Sequence, residues 1–221
     1  FRYRNDDKIN FVLAQGNVVH NLFNNTEPVF ESINNDNIRF VCSLYDIGVN
    51  ILTTNLGITE FGDLKNSKMI VNVGPKYSSE YVTAIDLFLL YQITVGKDIS
   101  ITYYDVDELY DHYGVDVNVA ILTRTHPDIN VQGLINKKLT KFIEILKYND
   151  GNIYHITLDE EPFYKEYPYY HKFVIDKSTL GDYYNNLVIN DDVFDNKKNR
   201  PIETYHSMFI NTISVKYHLL S

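Results

Sequence analysis

The stretch from Met69 to Gln92, MIVNVGPKYSSEYVTAIDLFLLYQ, decides the fold that the sequence predicts. Its apolar beginning ends at Gly74-Pro75, and a short polar loop leads to Ser78, Ser79 and Glu80. Apolar residues then recur at helical spacing, so the stretch predicts a strand, a loop and a helix. The first turn of such a helix has unpaired N–H groups and the positive end of the helix dipole. The loop therefore predicts either an anion site or a plain helix cap at Ser78 or Ser79, with Glu80 favoured by the dipole.

Apolar segments of strand length alternate with amphipathic segments along the rest of the chain. Strands are predicted at 9–14, 38–44, 49–53, 99–103, 115–122, 142–146 and 208–215, and further helices at 17–22, 105–113, 128–137 and 162–167. Such alternation indicates an α/β protein with mostly parallel sheets, since parallel strands need a crossover between them. At 221 residues the chain is long enough for one large domain or for two small lobes.

Charge and composition exclude several classes of protein. The net charge is −9 and the few basic residues are scattered, so a general binder of nucleic acid or of anionic membranes is not expected. No apolar run approaches the roughly 18 residues that a membrane span requires. Cys42 is the one cysteine of the chain, which excludes an intramolecular disulfide.

The sequence has no motif that is typical of catalysis or of cofactor binding. It lacks a phosphate-binding P-loop, a G-x-S-x-G elbow, an H-E-x-x-H zinc motif and paired cysteines at metal-ligand spacing. The seven histidines include no pair at i, i+4, so no single helix would present two of them to a zinc ion. We therefore expect a protein that is not an enzyme and that holds no cofactor or metal.

Arg124 is the basic residue best placed for ligand binding. It follows the apolar segment that ends at Leu122, so it should stand at the carboxyl end of a buried strand, where open α/β sheets bind their ligands. Its guanidinium group suits the geometry of a carboxylate. The alternative is an exposed arginine on the polar loop Thr123-Arg124-Thr125.

Several motifs follow one another in the order and spacing of a known family. GITEFGDLK at 57–65, the apolar strand at 69–74 and the loop at 77–80 match a pattern written sgI-sl-DLkGK-v-vG-pgSGt. Upstream, FVLAQ at 11–15 is similar to the family's ivqsd strand, and 38–45 to its lraiaslyp strand. Downstream, YPYY at 167–170 is similar to its yPyY. The chain thus resembles the TAXI-type solute receptors of TRAP transporters.

This resemblance implies a two-lobed fold of the periplasmic-binding-protein type (type II) with an interlobe cleft. Lobe 1 would comprise residues 1–57 and 123–221, and lobe 2 residues 58–122. Receptors of the family have a complete βαβ unit ahead of the strand that corresponds to 9–14. No such unit precedes Ile9 here, so we expect either a chain that starts from a longer precursor or a reduced version of the fold. That strand should therefore have an open edge, which another segment, a protein partner or a second copy of the chain would cover.

The resemblance also implies where a ligand would bind. Strand ends from both lobes should bring polar side chains to the cleft that Arg124 faces. The candidate ligand-binding residues are Gln15, Tyr45, Tyr77, Ser78, Ser79 and Arg124. The implied ligand is a small carboxylate or an amino acid.

The loop at 77–80 departs from the family at three positions. Where the receptors have GSGt, this chain has Tyr77-Ser78-Ser79-Glu80. Tyr77 would fill the space of a ligand, Ser79 restricts the backbone, and Glu80 places a negative charge where a ligand carboxylate would sit. We therefore expect a non-enzymatic, solute-receptor-like protein whose binding of small anions or amino acids is altered or lost.

A structural or assembly protein is the alternative from a different class. Such a protein, in a virion for example, would reuse the solute-binding fold and make contacts through some of its 19 tyrosines. A working receptor would be extracytoplasmic or periplasmic, whereas a structural protein would lie in a virion or in the cytoplasm. A cleft with convergent polar groups favours the receptor, and a cleft plugged by Tyr77 favours the scaffold.

Overall fold

The computed structural model describes residues 11–24, 38–125, 128–143, 145–149, 152–155, 167–176 and 209–221. The strands are β1 Val12–Gln15, β2 Phe40–Thr53, β3 Ile70–Asn72, β4 Ser100–Thr102, β5 Val119–Arg124, β6 Lys141–Phe142, β7 Leu146–Asn149, β8 Asn152–His155, β9 Tyr170–Asp176 and β10 Phe209–Leu220. The helices are α1 Gly16–Asn24, α2 Ser79–Leu90, α3 Val106–His112 and α4 Ile129–Lys137. Ile9, Met208 and most of the helix predicted at 162–167 lie outside the described residues.

Eight of these strands form one mixed sheet. Its order is β1-β10-β2-β5-β3-β4, with β9 beside β10 and β6 beside β2, while β7 and β8 form a separate hairpin. The pairs β3–β4 and β3–β5 are parallel, as expected for strands joined through α2 and α3. The other ladders between described strands are antiparallel, so the expected predominance of parallel strands is not confirmed.

The fold-deciding stretch forms the predicted strand, loop and helix. The strand is β3, the helix is α2, and Ser78 is its N-cap with extended backbone angles. The hydroxyl oxygen of Ser78 accepts a hydrogen bond from the backbone N–H of Tyr81 at 3.2 Å. The capping interpretation of Ser78 is therefore confirmed.

The two strands predicted at 38–44 and 49–53 are one continuous strand, β2, of 14 residues. The predicted break between them is wrong because the backbone pairs with neighbouring strands at this point. Asp46 and Ile47 pair with Lys216 and Val215 of β10, and Gly48 pairs with Arg124 of β5. A turn here would leave those backbone groups without partners.

Two apolar cores lie on opposite faces of the sheet. Alternate residues of β2 and β5 pack against α2, whereas the residues between them pack against α3 and α4. Every apolar residue of β5 is buried, at 3 % exposure or less, as expected of a strand covered on both faces. The core toward α2 includes Val49, Ile51, Val71, Val119, Ile121, Leu87 and Phe88; the core toward α3 and α4 includes Leu52, Leu109, Ala120, Leu122, Leu134 and Ile135.

The long strand β2 connects the regions that the sequence assigned to separate lobes. Its first half pairs with β10 and its second half with β5, so the sheet continues from one region into the other. The division into residues 1–57 with 123–221 and 58–122 stays a prediction. At the other end of the sheet, β1 pairs with β10 and has no second partner among the described strands. The partner expected at this edge also stays a prediction.

The buried position of Ile121 gives a test of the two-sided core. Replacing Ile121, which is fully buried, with alanine should lower the free energy of unfolding by about 2–5 kcal/mol, because lost apolar contacts and a cavity both destabilise. Leu89→Ala on the exposed side of α2, where the side chain is 67 % exposed, should change it by about 0.5 kcal/mol or less. Chemical denaturation of both variants measures the difference, and equal effects would contradict the assigned core.

Candidate functional site

Four adjacent strands each contribute one polar side chain to the same face of the sheet. Gln15 of β1 lies directly opposite Tyr217 of β10, and Tyr217 packs against the core on the α2 side. Tyr45 of β2 and Thr123 of β5 each lie two residues from a core residue on that side, so they point the same way. Polar groups therefore extend in a row across β1, β10, β2 and β5, beneath the start of α2.

A hydrogen bond joins the two residues at the ends of this row, Gln15 and Thr123. The side-chain N–H of Gln15 donates to the hydroxyl of Thr123 at 2.9 Å, and both residues are buried. β10 and β2 lie between the strands of these residues, so a flat sheet would separate them by roughly 14 Å, or three strand spacings. The sheet must therefore curl strongly, and the face toward α2 is its concave face.

Arg124 ends β5 beside this row and forms an ion pair with Glu80. Its Nη1 donates to Oε1 of Glu80 and also to the backbone carbonyl of Thr123 at 2.8 Å. The Glu80 side chain is 10 % exposed and that of Arg124 is 26 % exposed. The hydroxyl of Ser79 donates to the second Glu80 oxygen at 3.3 Å. The positive charge that the sequence assigned to a ligand carboxylate is thus matched by a carboxylate of the chain itself.

Gly74 makes room for Glu80 beneath the helix start. Its φ of +71° is in the left-handed region that favours glycine. A Cβ at this position would also lie 2.9 Å from the Cβ of Glu80 and 3.1 Å from the Ser78 hydroxyl. The strand-to-helix turn therefore brings Glu80 to Arg124 only because residue 74 has no side chain.

Tyr217 and Tyr45 form an aromatic pair within the same group of residues. Their ring centroids are 5.3 Å apart, and Tyr45 is 47 % exposed. Burial raises the pKa of Tyr217, and the negative charge of Glu80 raises it further, whereas the hydrogen bond with Gln15 and the charge of Arg124 oppose the rise. Tyr217 therefore stays a neutral phenol near pH 7. We call Gln15, Tyr45, Glu80, Thr123, Arg124 and Tyr217 the Arg124 cluster.

The predicted ligand-binding residues Ser78 and Tyr77 lie outside the Arg124 cluster. Ser78 is used in capping α2, as described above. Tyr77 has a left-handed backbone with φ of +65°, is 55 % exposed, and places its ring centroid 5.8 Å from that of Tyr81. That Tyr77 fills the space of a ligand stays a prediction, while the side chain that reaches Arg124 is that of Glu80. Gln15, Tyr45 and Arg124 lie within one cluster, and their role in ligand binding stays a prediction.

A second polar network, which the sequence analysis missed, joins α1, α2 and β9. Asn17, which is fully buried, donates to the hydroxyls of Thr83 and Tyr170 at 2.9 and 3.1 Å. Asp86 accepts from the hydroxyls of Tyr169 and Tyr170 at 3.1 and 2.9 Å. Burial, followed by the Asp86 charge, raises the pKa of Tyr170 well above its usual value, so it remains a hydrogen-bond donor. An aspartate inside the apolar run AIDLF was the signal in the sequence that indicated a buried partner.

The described part of the chain shows no arrangement of side chains for a metal site. No group of three or more histidine, cysteine, aspartate or glutamate side chains is arranged there to hold a metal ion. None of the described helices has both the length and the apolar character needed to cross a membrane.

The mixed α/β architecture and its curled sheet are compatible with a periplasmic-binding-protein-like fold. The chain belongs to the NMT1-like family, whose family model matches residues 3–190. This is a periplasmic-binding-protein-like family of solute-binding proteins, which are generally not enzymes. No curated protein matches the chain. The match does not distinguish the TAXI type, and it gives no support to the structural or virion alternative.

The ion pair between Glu80 and Arg124 gives a stability test of the site. Glu80→Gln removes the negative charge opposite a mostly buried guanidinium group and should lower the free energy of unfolding by about 1–3 kcal/mol. Glu108→Gln is the matched control, because Glu108 is exposed in the first turn of α3, and it should cost no more than about 1 kcal/mol. Urea denaturation at neutral pH measures both free energies of unfolding. A Glu80→Gln variant that is as stable as the Glu108→Gln control would refute a stabilising ion pair.

Proposed function

We propose that the chain is a solute-binding protein of the periplasmic-binding-protein-like class whose carboxylate site is altered. The observation that carries the proposal is the ion pair in which Glu80 takes the place opposite Arg124. A ligand carboxylate at that place would need to displace Glu80 and leave its carboxylate buried without its cation, which costs several kcal/mol in a poorly hydrated site. The site therefore disfavours glutamate and small dicarboxylates.

Family membership supports the binding function, and the convergence of Gln15, Tyr45 and Arg124 supports its position. The resemblance to TAXI-type receptors points to the same place, since its ligand loop corresponds to residues 77–80 of this chain. Nothing in the Arg124 cluster suits covalent catalysis, because its hydroxyls belong to Thr123 and to two tyrosines with no histidine among the cluster residues. Binding without chemistry is the function that fits these groups.

Thermal denaturation with added ligand tests the proposal on the full chain. A ligand that binds only the native state raises stability by RT ln(1 + [L]/Kd), so glutamate and succinate should leave the melting temperature of the natural sequence unchanged. A clear upward shift with either would show that the carboxylate site still works and would refute the proposal.

A double substitution tests whether Glu80 is the cause. Tyr77→Gly with Glu80→Thr removes the internal carboxylate, and glycine suits the left-handed backbone at position 77. The variant should gain weak binding of glutamate or succinate, seen as a rise in melting temperature that grows with ligand concentration. The control adds Arg124→Gln to this variant, which should abolish the ligand-dependent rise in melting temperature. A double variant that responds to neither anion would show that Glu80 is not what closes the site.

A further inference from the structure

A buried acceptor without a partner lies inside the Arg124 cluster. Gln15 is 1 % exposed, and its Nε2 is used in the bond to Thr123. Its Oε1 has no hydrogen-bond partner among the described residues. Leaving a buried carbonyl unpaired costs about 1–3 kcal/mol, so such atoms usually face a water or a ligand.

The charges of the cluster restrict what could pair with that acceptor. Glu80 and Arg124 are its two charged residues, and they neutralise each other in the ion pair. A ligand with a net charge would have to be desolvated at a site whose own charges are already matched, which is unfavourable for an anion and for a cation alike. An uncharged ligand avoids that cost, and to satisfy Gln15 Oε1 it must donate a hydrogen bond.

The aromatic pair adds a requirement of shape. The ring of Tyr45 is half exposed beside that of Tyr217, at an angle of 33°. Tyr217 lies directly opposite Gln15 in the sheet, so the rings and the free acceptor are neighbours on the concave face. Flat groups pack well on aromatic rings in offset or tilted arrangements.

From these three observations we infer that the Arg124 cluster binds an uncharged planar ligand with an N–H donor, such as a carboxamide. The ligand donates to Gln15 Oε1 and stacks on Tyr45, while the Glu80–Arg124 pair stays closed. This inference rests on the proposed function, because it names the ligand class of the same altered site. In this proposal Gln15 and Tyr45 contact the ligand, and Arg124 holds Glu80 in place through their ion pair.

Three pyridines that share the ring and differ in the group at C3, and so in net charge at neutral pH, test the inference. Nicotinamide is the uncharged carboxamide, nicotinate is the matching anion, and 3-(aminomethyl)pyridine is the matching cation. At millimolar concentration, nicotinamide should raise the melting temperature of the full chain, and the other two should not. A shift with nicotinate would overturn the proposed function together with the inference. A shift with 3-(aminomethyl)pyridine alone, or with none of the three, would overturn the inference and leave the proposed function standing.

Variants then locate the binding of nicotinamide. Gln15→Leu and Tyr45→Ala should each abolish most of the nicotinamide shift, and Tyr45 is exposed enough for its variant to fold. Gln15→Glu keeps an acceptor but adds a negative charge, so it should transfer the preference to 3-(aminomethyl)pyridine. Asn50→Leu is the control, because Asn50 also has a buried unpaired side-chain oxygen but lies between residues that face α2 and so points to the other face. Equal loss of the shift in Asn50→Leu and Gln15→Leu would contradict a site on the concave face.

Discussion

The continuous pairing of β2 is the constraint on which the rest of the structure depends. Over its 14 residues this strand pairs with β10, β5 and β6, so it connects the antiparallel half of the sheet to the βαβ half. Because the two halves share one strand, their relative orientation is set by the twist and curl of a hydrogen-bonded sheet. The bond between Gln15 and Thr123 requires that curl, and it brings the ends of β1 and β5 to the same place.

The start of α2 is the second element on which the site depends. Ser78 caps the helix, Gly74 permits the close approach of the loop, and Glu80 follows in the first turn. A carboxylate in the first turn is favoured by the helix dipole, and Arg124 adds a cation at the end of the neighbouring strand. The same geometry that binds an external anion in an α/β sheet here binds an anion of the chain itself. Under the proposed function, this internal carboxylate replaces an external one, which changes the ligands that the site accepts.

The polar network around Asn17 and Asp86 holds α2 against α1 and β9. Asn17, Thr83, Asp86, Tyr169 and Tyr170 connect α1 and β9 to the middle of α2, one to two turns after Glu80. The hydroxyls of Tyr169 and Tyr170 both donate to Asp86, so the hydrogen-bonding needs of these hydroxyls are met beside α2. Two buried side-chain oxygens of the described residues have no partner, those of Gln15 and Asn50, and that of Gln15 is the one on the concave face.

The local structure of the chain was accessible from the sequence, and so was part of the site. The periodicity of apolar residues and the helix-capping signals predicted α1, α2, β3, β4 and the buried β5. Both signals depend on residues that lie close together in the chain. The position of Arg124 at a strand end followed from the same reasoning. The continuity of β2 and the mainly antiparallel ladders were beyond it, because they depend on pairing with β10, about 170 residues further along.

By itself, the sequence indicated the class of the protein and named candidate binding residues. It predicted an α/β fold and a negative charge on the ligand loop, since both follow from residue type and local spacing. Only the tertiary structure decided that Glu80 pairs with Arg124, that the Tyr77 ring lies against Tyr81, and that Gln15 reaches Thr123. The reason is that these contacts join strands and helices through the curl of the sheet, which no local pattern specifies.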